Sequence, residues 1–282
     1  MRKTTDLNTL TPTRLQSFLY RNKFGRLILK LLITRTVSRI AGAVLNSKIS
    51  SVFVKGFVKN NGIDLSEYEK DKFDSYNDFF TRKIRPELRP ISRDAGEFIS
   101  PADSRLLCLD IDEELHFNIK NSYYSLSSFL GDRALADEFL GGKLLIFRLC
   151  VDDYHRYCFF DDGEILSTKF ISGCLHTVQP IALERDDFFK ENCREITVMK
   201  TKNFGKAVMV EIGALMVGKI VNRFSSGSFE KGQEKGYFEF GGSTVCVLLK
   251  KGKVCVDTEI IDNTKKGLET RVLFGETIGK KQ

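Results

Sequence analysis

The sequence predicts an α+β protein, with a β-rich, mainly antiparallel domain over residues 96–282 behind a helical N-terminal region over residues 1–95. Three observations carry this expectation. Apolar residues in the first part recur at helical spacing. After Gly96, short β-branched and aromatic runs are instead separated by Gly, Asn and Asp. The charge also divides: residues 1–60 hold 12 Lys and Arg against the single acid Asp6, and the remainder holds 32 bases against 36 acids. At 42% hydrophobic, 29% charged and only 5 Pro, the 282 residues suit a folded core, which excludes collagen-like, long disordered and disulfide-miniprotein classes.

In the N-terminal region, Phe24, Leu27, Ile28 and Leu31 form one helical stripe. Ile33, Val37, Ile40, Ala41 and Val44 form a second on nearly the opposite side, so either two helices meet or one is gripped on both faces. Lys30, Arg35 and Arg39 interrupt the apolar stretch, which falls short of the roughly 20 apolar residues a spanning helix needs. Lys23, Arg26 and Lys30 on one face, with Arg35 and Arg39 on another, suit a helix lying in an anionic headgroup layer; a solvated basic face suits them equally. A second helical patch is expected over 64–83, where Asp64 with Glu67 and Ser75 with Asp78 have N-cap spacing, and it ends at Pro86–Pro90. Strands are expected at 143–151, 154–160, 165–171, 195–201, 207–212, 245–250 and 254–260, with one helix near 126–140.

Seven cysteines with no C-x-x-C pair, most within apolar runs, point to reduced, buried thiols and no metal site. Met1 to Arg14 lacks the apolar core of a secretory signal. No nucleic-acid-binding motif accompanies the basic arm, so nucleic acid is not an expected partner.

Histidine occurs only at 116, 155 and 176. In Asp152-Asp153-Tyr154-His155-Arg156-Tyr157, strand alternation would put Asp153, His155 and Tyr157 on one face. A carboxylate beside an imidazole suits a general acid or base, although a surface ion pair would look the same. Gly241-Gly242-Ser243-Thr244 reads as a tight turn into a strand, being neither a P-loop nor a hydrolase elbow. Ser100-Pro101-Ala102-Asp103-Ser104 puts an acid at a turn, where capping is its default role.

Together, and in this order, these segments resemble the phosphatidylserine decarboxylases, a pyruvoyl-dependent family. Phe79-Phe80-Thr81-Arg82 with Arg89-Pro90-Ile91 looks like the family's entry motif, and Ser100-Pro101-Ala102-Asp103 like its SPADG block. Asp153-Tyr154-His155-Arg156 matches its DYHR segment, and Gly205 with Val210 to Gly218 resembles its VGA-x-x-VG strand pair. Lys231-Gly232-Gln233-Glu234-Lys235-Gly236 leading to Gly242-Ser243-Thr244 is similar to the block that carries self-cleavage.

The resemblance implies that the Ser243 hydroxyl attacks the Gly242 carbonyl, giving a β chain of residues 1–242 and an α chain of residues 243–282 that begins with a covalent pyruvoyl group. That group would form a Schiff base with the amine of phosphatidylserine and act as electron sink for decarboxylation to phosphatidylethanolamine, with no metal or dissociable cofactor. Asp103 matches the charge-relay acid and His155 the proton donor, with Asp153 as an auxiliary. The family pattern Y-H-R-x-H has a second histidine assigned to self-cleavage, and here that position is Cys158. Cys158 could act as base if a neighbour lowers its pKa, His155 could take both roles, or cleavage could be slow or lost; His155 working with Asp103 is the favoured arrangement. Since strand positions 155 and 158 face opposite ways, exchange between them needs a bend.

His176 falls where relatives more often carry an apolar or aromatic residue, and packing is its expected role, although nearby Val178-Gln179-Pro180 resembles a substrate-side segment. A peripheral position on the cytoplasmic side of the cell membrane, against anionic phospholipid, and a homo-oligomer are expected. Two rivals stay open: a member acting on another amine-bearing carboxylate, and a non-cleaving lipid-surface protein with a decayed site.

Overall fold

The computed structural model describes residues 1–7, 14–32, 35–114, 116–119, 122–173, 192–213, 219–239 and 243–282. Among these described residues, nine strands form one antiparallel sheet. Their order is β1 (Thr4–Asp6), β16 (Leu268–Val272), β3 (Ser104–Asp110), β6 (Lys143–Leu149), β14 (Ser243–Leu249), β10 (Gly205–Gly213), β9 (Arg194–Thr201), β8 (Gly163–Ile171) and β12 (Gly227–Phe229). Two three-stranded sheets accompany it. One runs β11 (Ile220–Asn222), β13 (Glu234–Phe238), β7 (Arg156–Cys158), and the other β15 (Val254–Val256), β17 (Thr277–Lys281), β2 (Glu97–Ile99). A hairpin of β4 (His116–Ile119) and β5 (Ser122–Ser125) completes the strands.

The central strands of the large sheet, β6, β14 and β10, are buried on both faces, and strand alternation divides their side chains between two cores. Cys246 and Leu248 of β14 join Leu126, Phe129 and Phe139, which helices α6 (Leu126–Leu130) and α7 (Arg133–Asp137) bring against one face. Val245, Val247 and Leu249 join Tyr157, Phe238, Ile99 and Ile278, so the two small sheets cover the other face. A strand enclosed in this way reads as a continuous apolar run, as Ser-Thr-Val-Cys-Val-Leu-Leu does.

The N-terminal stripes resolve as two helices, α2 (Lys23–Leu32) and α3 (Arg35–Asn46), preceded by α1 (Arg14–Arg21). Asn22 accepts from the Phe24 amide at 2.8 Å and so starts α2 afresh. Gly25 permits the close turn between α1 and α2, because a Cβ there would lie 2.0 Å from the Phe18 carbonyl oxygen. Leu19 and Leu29 enter the first core. The basic side chains of Lys23, Arg26, Lys30, Arg35 and Arg39 lie outside the described residues, as do His176 and the segment around Val178.

Four expectations need correction. The single helix expected near 126–140 is two, α6 and α7. The N-terminal region is not wholly helical, since β1 pairs with β16. The 64–83 patch is a short turn at Leu65–Glu67 and helix α5 (Tyr76–Phe80), capped as the spacing predicted by Asp64 and Ser75. The run 254–260 stays extended only to Val256 and then becomes helix α8 (Thr258–Lys265), whose Ile260 packs into the second core. A helix α4 (Val52–Asn61) had no counterpart among the sequence expectations.

Candidate active site

The candidate site lies where the large sheet meets the sheet of β7, β11 and β13. β13 ends at Phe238, whose amide donates to the His155 carbonyl at 3.0 Å. β14 opens at Ser243, opposite Leu149 of β6 and Gly213 of β10. Residues 239–242 therefore run from the neighbour of His155 to Ser243. Gly242 itself lies outside the described residues. Ser243 is fully buried and shares its face of β14 with Val245 and Val247, the face toward the small sheets.

His155 is also fully buried, its ring packed on Phe80 at 4.0 Å between centroids. Its Nδ1 lies 2.9 Å from the Asp153 carbonyl oxygen. A carbonyl only accepts, so Nδ1 carries the proton and Nε2 presents a lone pair. Among the described residues, no hydrogen-bond partner meets that buried Nε2. Burial, with the nearby Arg82 guanidinium, pushes the imidazole pKa down to about 3, so the ring is neutral at ordinary pH.

The expected Asp153–His155 side-chain pair is not formed. The strand begins only at Arg156, and residues 150–153 form a turn in which the Asp153 amide donates to the Cys150 carbonyl at 2.9 Å. The Asp153 carboxylate turns away to accept from Arg105 at 2.6 Å and the Cys150 amide at 2.7 Å. Its burial raises its pKa to about 6, against the lowering effect of Arg105. The backbone of Asp153, not its side chain, sets the histidine tautomer. Cys150, Asp152 and Asp153 bring donor atoms within 4.8 Å of one another, but Arg105 and Arg148 already supply cations to that cluster.

Asp103 is buried with Arg89 bound at both carboxylate oxygens, at 2.9 and 2.6 Å, and Oδ1 also accepts the Phe274 amide at 2.7 Å. Asp103 thus joins the Arg89-Pro90-Ile91 motif to the C-terminal part of the chain. Arg82 donates to the Asp152 carbonyl and the Tyr68 hydroxyl, both at 3.2 Å, and holds the turn that carries His155. Arg156 donates to the Thr81 carbonyl at 2.6 Å and to Glu234 at 2.8 Å, joining three of the motif segments. Arg82 and Arg89 entered the sequence reading as motif letters without roles. Cys158 sits on β7, fully buried in the second core, and burial pushes its thiol pKa far above the ordinary value. No described neighbour lowers it enough to favour a thiolate. His116, on the β4–β5 hairpin, lies 3.6 Å from Glu114 and takes no part in this arrangement.

A buried serine heading a central strand, joined by four residues to the neighbour of a neutral histidine with a bare nitrogen, marks an enzyme. The family is settled by comparison: this chain belongs to the phosphatidylserine decarboxylase family, whose model matches residues 76–280. It is 48% identical to phosphatidylserine decarboxylase proenzyme 2 of Clostridium acetobutylicum over 264 residues, covering 93% of this chain and 90% of that one. The phosphatidylserine decarboxylase proenzyme of Ruminiclostridium cellulolyticum is 43% identical over 97% of this chain and 93% of its own length. That of Chlamydia caviae is 40% identical over 93% and 90%.

Proposed function

We propose that this chain is a proenzyme that divides itself between Gly242 and Ser243 and then converts phosphatidylserine to phosphatidylethanolamine. The observation that carries the proposal is that His155, whose buried Nε2 has no partner among the described residues, is tied through its backbone carbonyl to Phe238, from which residues 239–242 lead in sequence to the buried Ser243. His155 takes the Ser243 hydroxyl proton as Oγ attacks the Gly242 carbonyl carbon. The Gly242–Ser243 C–N bond breaks, the amine takes a proton, and an ester joins the two residues. Loss of the Ser243 α-proton expels the Gly242 carboxylate, and water displaces the nitrogen as one ammonia. The products are residues 1–242 and residues 243–282, the second beginning with a pyruvoyl group.

The shorter chain needs no covalent link to remain in place. β14 lies between β6 and β10, β16 lies between β1 and β3, and Asp103 accepts from Phe274. An orphaned, buried imidazole nitrogen and a serine on the face toward the small sheets fit this prosthetic group. When formed, its carbonyl supplies an electrophile for the substrate amine and an electron sink as carbon dioxide leaves. His155 then holds or returns a proton at Nε2, Arg89 fixes Asp103, and the apolar walls of the second core exclude water. Phosphatidylserine vesicles should yield carbon dioxide and phosphatidylethanolamine, whereas activity confined to free serine would refute the lipid reading.

His155, not Cys158, is the proposed base for self-cleavage. Cys158→Ala is expected to leave the cleavage half-time within about twofold of the parent, at a stability cost of about 1 kcal/mol for the small cavity. Mass spectrometry of freshly made protein checks this, and a folded but uncut Cys158→Ala chain would assign the base to the thiol.

The N-terminal helices supply the proposed contact with an anionic phospholipid surface, on the cytoplasmic side of the cell membrane. Phe24, Leu27, Ile40, Val44, Ile49 and Phe53 are all more than half exposed, on a segment carrying 12 Lys and Arg in its first 60 residues. No described helix is long and apolar enough to cross a membrane. Exposed apolar side chains with surrounding basic charge suit shallow insertion into an anionic interface. Ile49→Ser with Phe53→Ser is expected to weaken sedimentation with anionic vesicles about tenfold or more, at roughly 1.5–3 kcal/mol per buried side chain. Activity in detergent micelles should be unchanged. Vesicle binding equal to that of the parent chain would remove these residues from the interface.

A further inference from the structure

His155 immediately precedes β7 of a small sheet, whereas Ser243 opens β14 of the large one, and apolar packing between sheets has little directional preference. A buried polar contact joins the two sheets close to both residues. Glu211 of β10 precedes Gly213, the partner of Ser243, by two positions, and alternation puts its carboxylate on the same face as the Ser243 side chain. That carboxylate is fully buried and accepts from Lys235, also fully buried, at 2.7 Å.

Lys235 belongs to β13, in the small sheet. Opposite β7, Glu234 pairs with Cys158 and Gly236 with Tyr157, so Lys235 is the extra residue of a bulge, a feature that re-aims a side chain. The same Glu211 oxygen accepts from Asn222 Nδ2 of β11 at 3.0 Å, and the Tyr157 hydroxyl of β7 donates to Asn222 Oδ1 at 2.9 Å. Gly236 makes room for this network, because a Cβ there would lie 2.7 Å from Asn222 Oδ1 and 2.8 Å from the Tyr157 hydroxyl. One carboxylate on the serine's sheet is thus bonded to β13 and β11 directly, and to β7 through Asn222. Tyr157 lies two residues beyond His155. Burial raises the Glu211 pKa, Lys235 opposes that rise, and among the described residues the other carboxylate oxygen has no partner.

We propose that Glu211 is a positioning residue for the chemistry at Ser243, which with Lys235 sets the alignment of the small sheet whose strand β7 follows His155 on the sheet bearing Ser243. The proposal rests on self-cleavage as read above. A buried ion pair contributes little net stability over apolar replacements of similar shape, yet it is directional, so its value here is alignment. The functional cost of losing it should therefore exceed the structural one.

The test compares the full-length chain with Glu211→Gln/Lys235→Met, which removes both charges and nearly keeps both shapes. The cleavage half-time of freshly synthesised protein is followed by intact mass, alongside thermal unfolding. We expect the melting temperature to be nearly kept while cleavage slows about 10–100-fold, the scale of a small misplacement of reacting groups. In the fraction that matures, kcat per pyruvoyl chain should fall and KM for phosphatidylserine in mixed micelles should hold. Cleavage and kcat within about twofold of the parent would overturn the proposal, as would losses that only track the unfolded fraction. Should the double variant not fold, Tyr157→Phe decides. It leaves the ion pair whole and cuts the tie to β7; cleavage slowed several-fold in a folded protein supports the proposal, and an unchanged rate overturns it. Failure of the parent chain to cleave would instead count against self-processing itself.

Discussion

Ser243→Ala yields one uncut chain of 282 residues with no decarboxylase activity. The side-chain oxygen is the nucleophile of the first step and the leaving atom of the second, so no other group at that position supplies the chemistry. The fold should survive. The β14 backbone keeps its pairing to Leu149 and Gly213, and alanine fits the buried face. Losing one hydroxyl from such a site costs about 1–2 kcal/mol, small beside the total stability of a domain. The expected result is therefore a normally folded, soluble chain at full mass, with activity reduced by more than about 10⁴-fold because no electron sink forms. Intact mass and circular dichroism check both halves. Continued division between residues 242 and 243 in this variant would refute the assignment of the nucleophile.

His155→Gln slows self-cleavage about 10²–10⁴-fold, the usual worth of a positioned general base. Glutamine keeps a polar group that can donate to the Asp153 carbonyl and fills much of the same space against Phe80, but offers no basic nitrogen. The parent enzyme carries a further signature. An ordinary histidine, with a pKa of about 6.5, would be half protonated there and lose its lone pair at lower pH. Burial and Arg82 push His155 down to about 3, so the base stays neutral and the cleavage rate should hold from pH 8 to pH 5. The same shift has a stability consequence. Between the unfolded value near 6.5 and the folded value near 3, only the unfolded chain binds the extra proton, so this residue's contribution is complete above about 6.5 and declines as pH falls below it. A cleavage rate that halves near pH 6.5 would show that the imidazole titrates normally and that its buried, unpartnered state is not the reactive one.

Much of the fold could be read from sequence because its main signal is local. β6, β9, β10 and β14 are mainly apolar or β-branched runs, and each of these strands ends within a few residues of its expected limit. The 254–260 run misled because a short apolar segment has no decisive period: Val254 and Val256 alternate as a strand, while Ile260 and Ile261 serve a helix equally well. β1 was invisible because three residues of mixed polarity acquire strand character only from β16, some 260 positions away.

The site was legible as motifs and not as geometry. Ser243, His155 and Asp103 were each marked by their segments, but their partners were not. Asp153 meets Arg105, 48 residues away, and Asp103 meets the Phe274 amide, so the carboxylate beside the imidazole in sequence is not beside it in space. Glu211 did leave a trace: Ala-Val-Met-Val-Glu-Ile places one acid inside a run buried on both faces, which is tolerable only with a partner. The partner, Lys235, depends on a bulge that no pattern in Lys-Gly-Gln-Glu-Lys-Gly announces.

The central claim is that the chain matures by converting Ser243 into its own prosthetic group, and the intact mass of the purified, full-length protein tests it most directly. Two chains are expected, residues 1–242 and residues 243–282, the shorter lighter than its encoded peptide by the mass of one ammonia. A single chain at the full encoded mass of 32.1 kDa, unchanged after prolonged incubation with anionic vesicles, would contradict it.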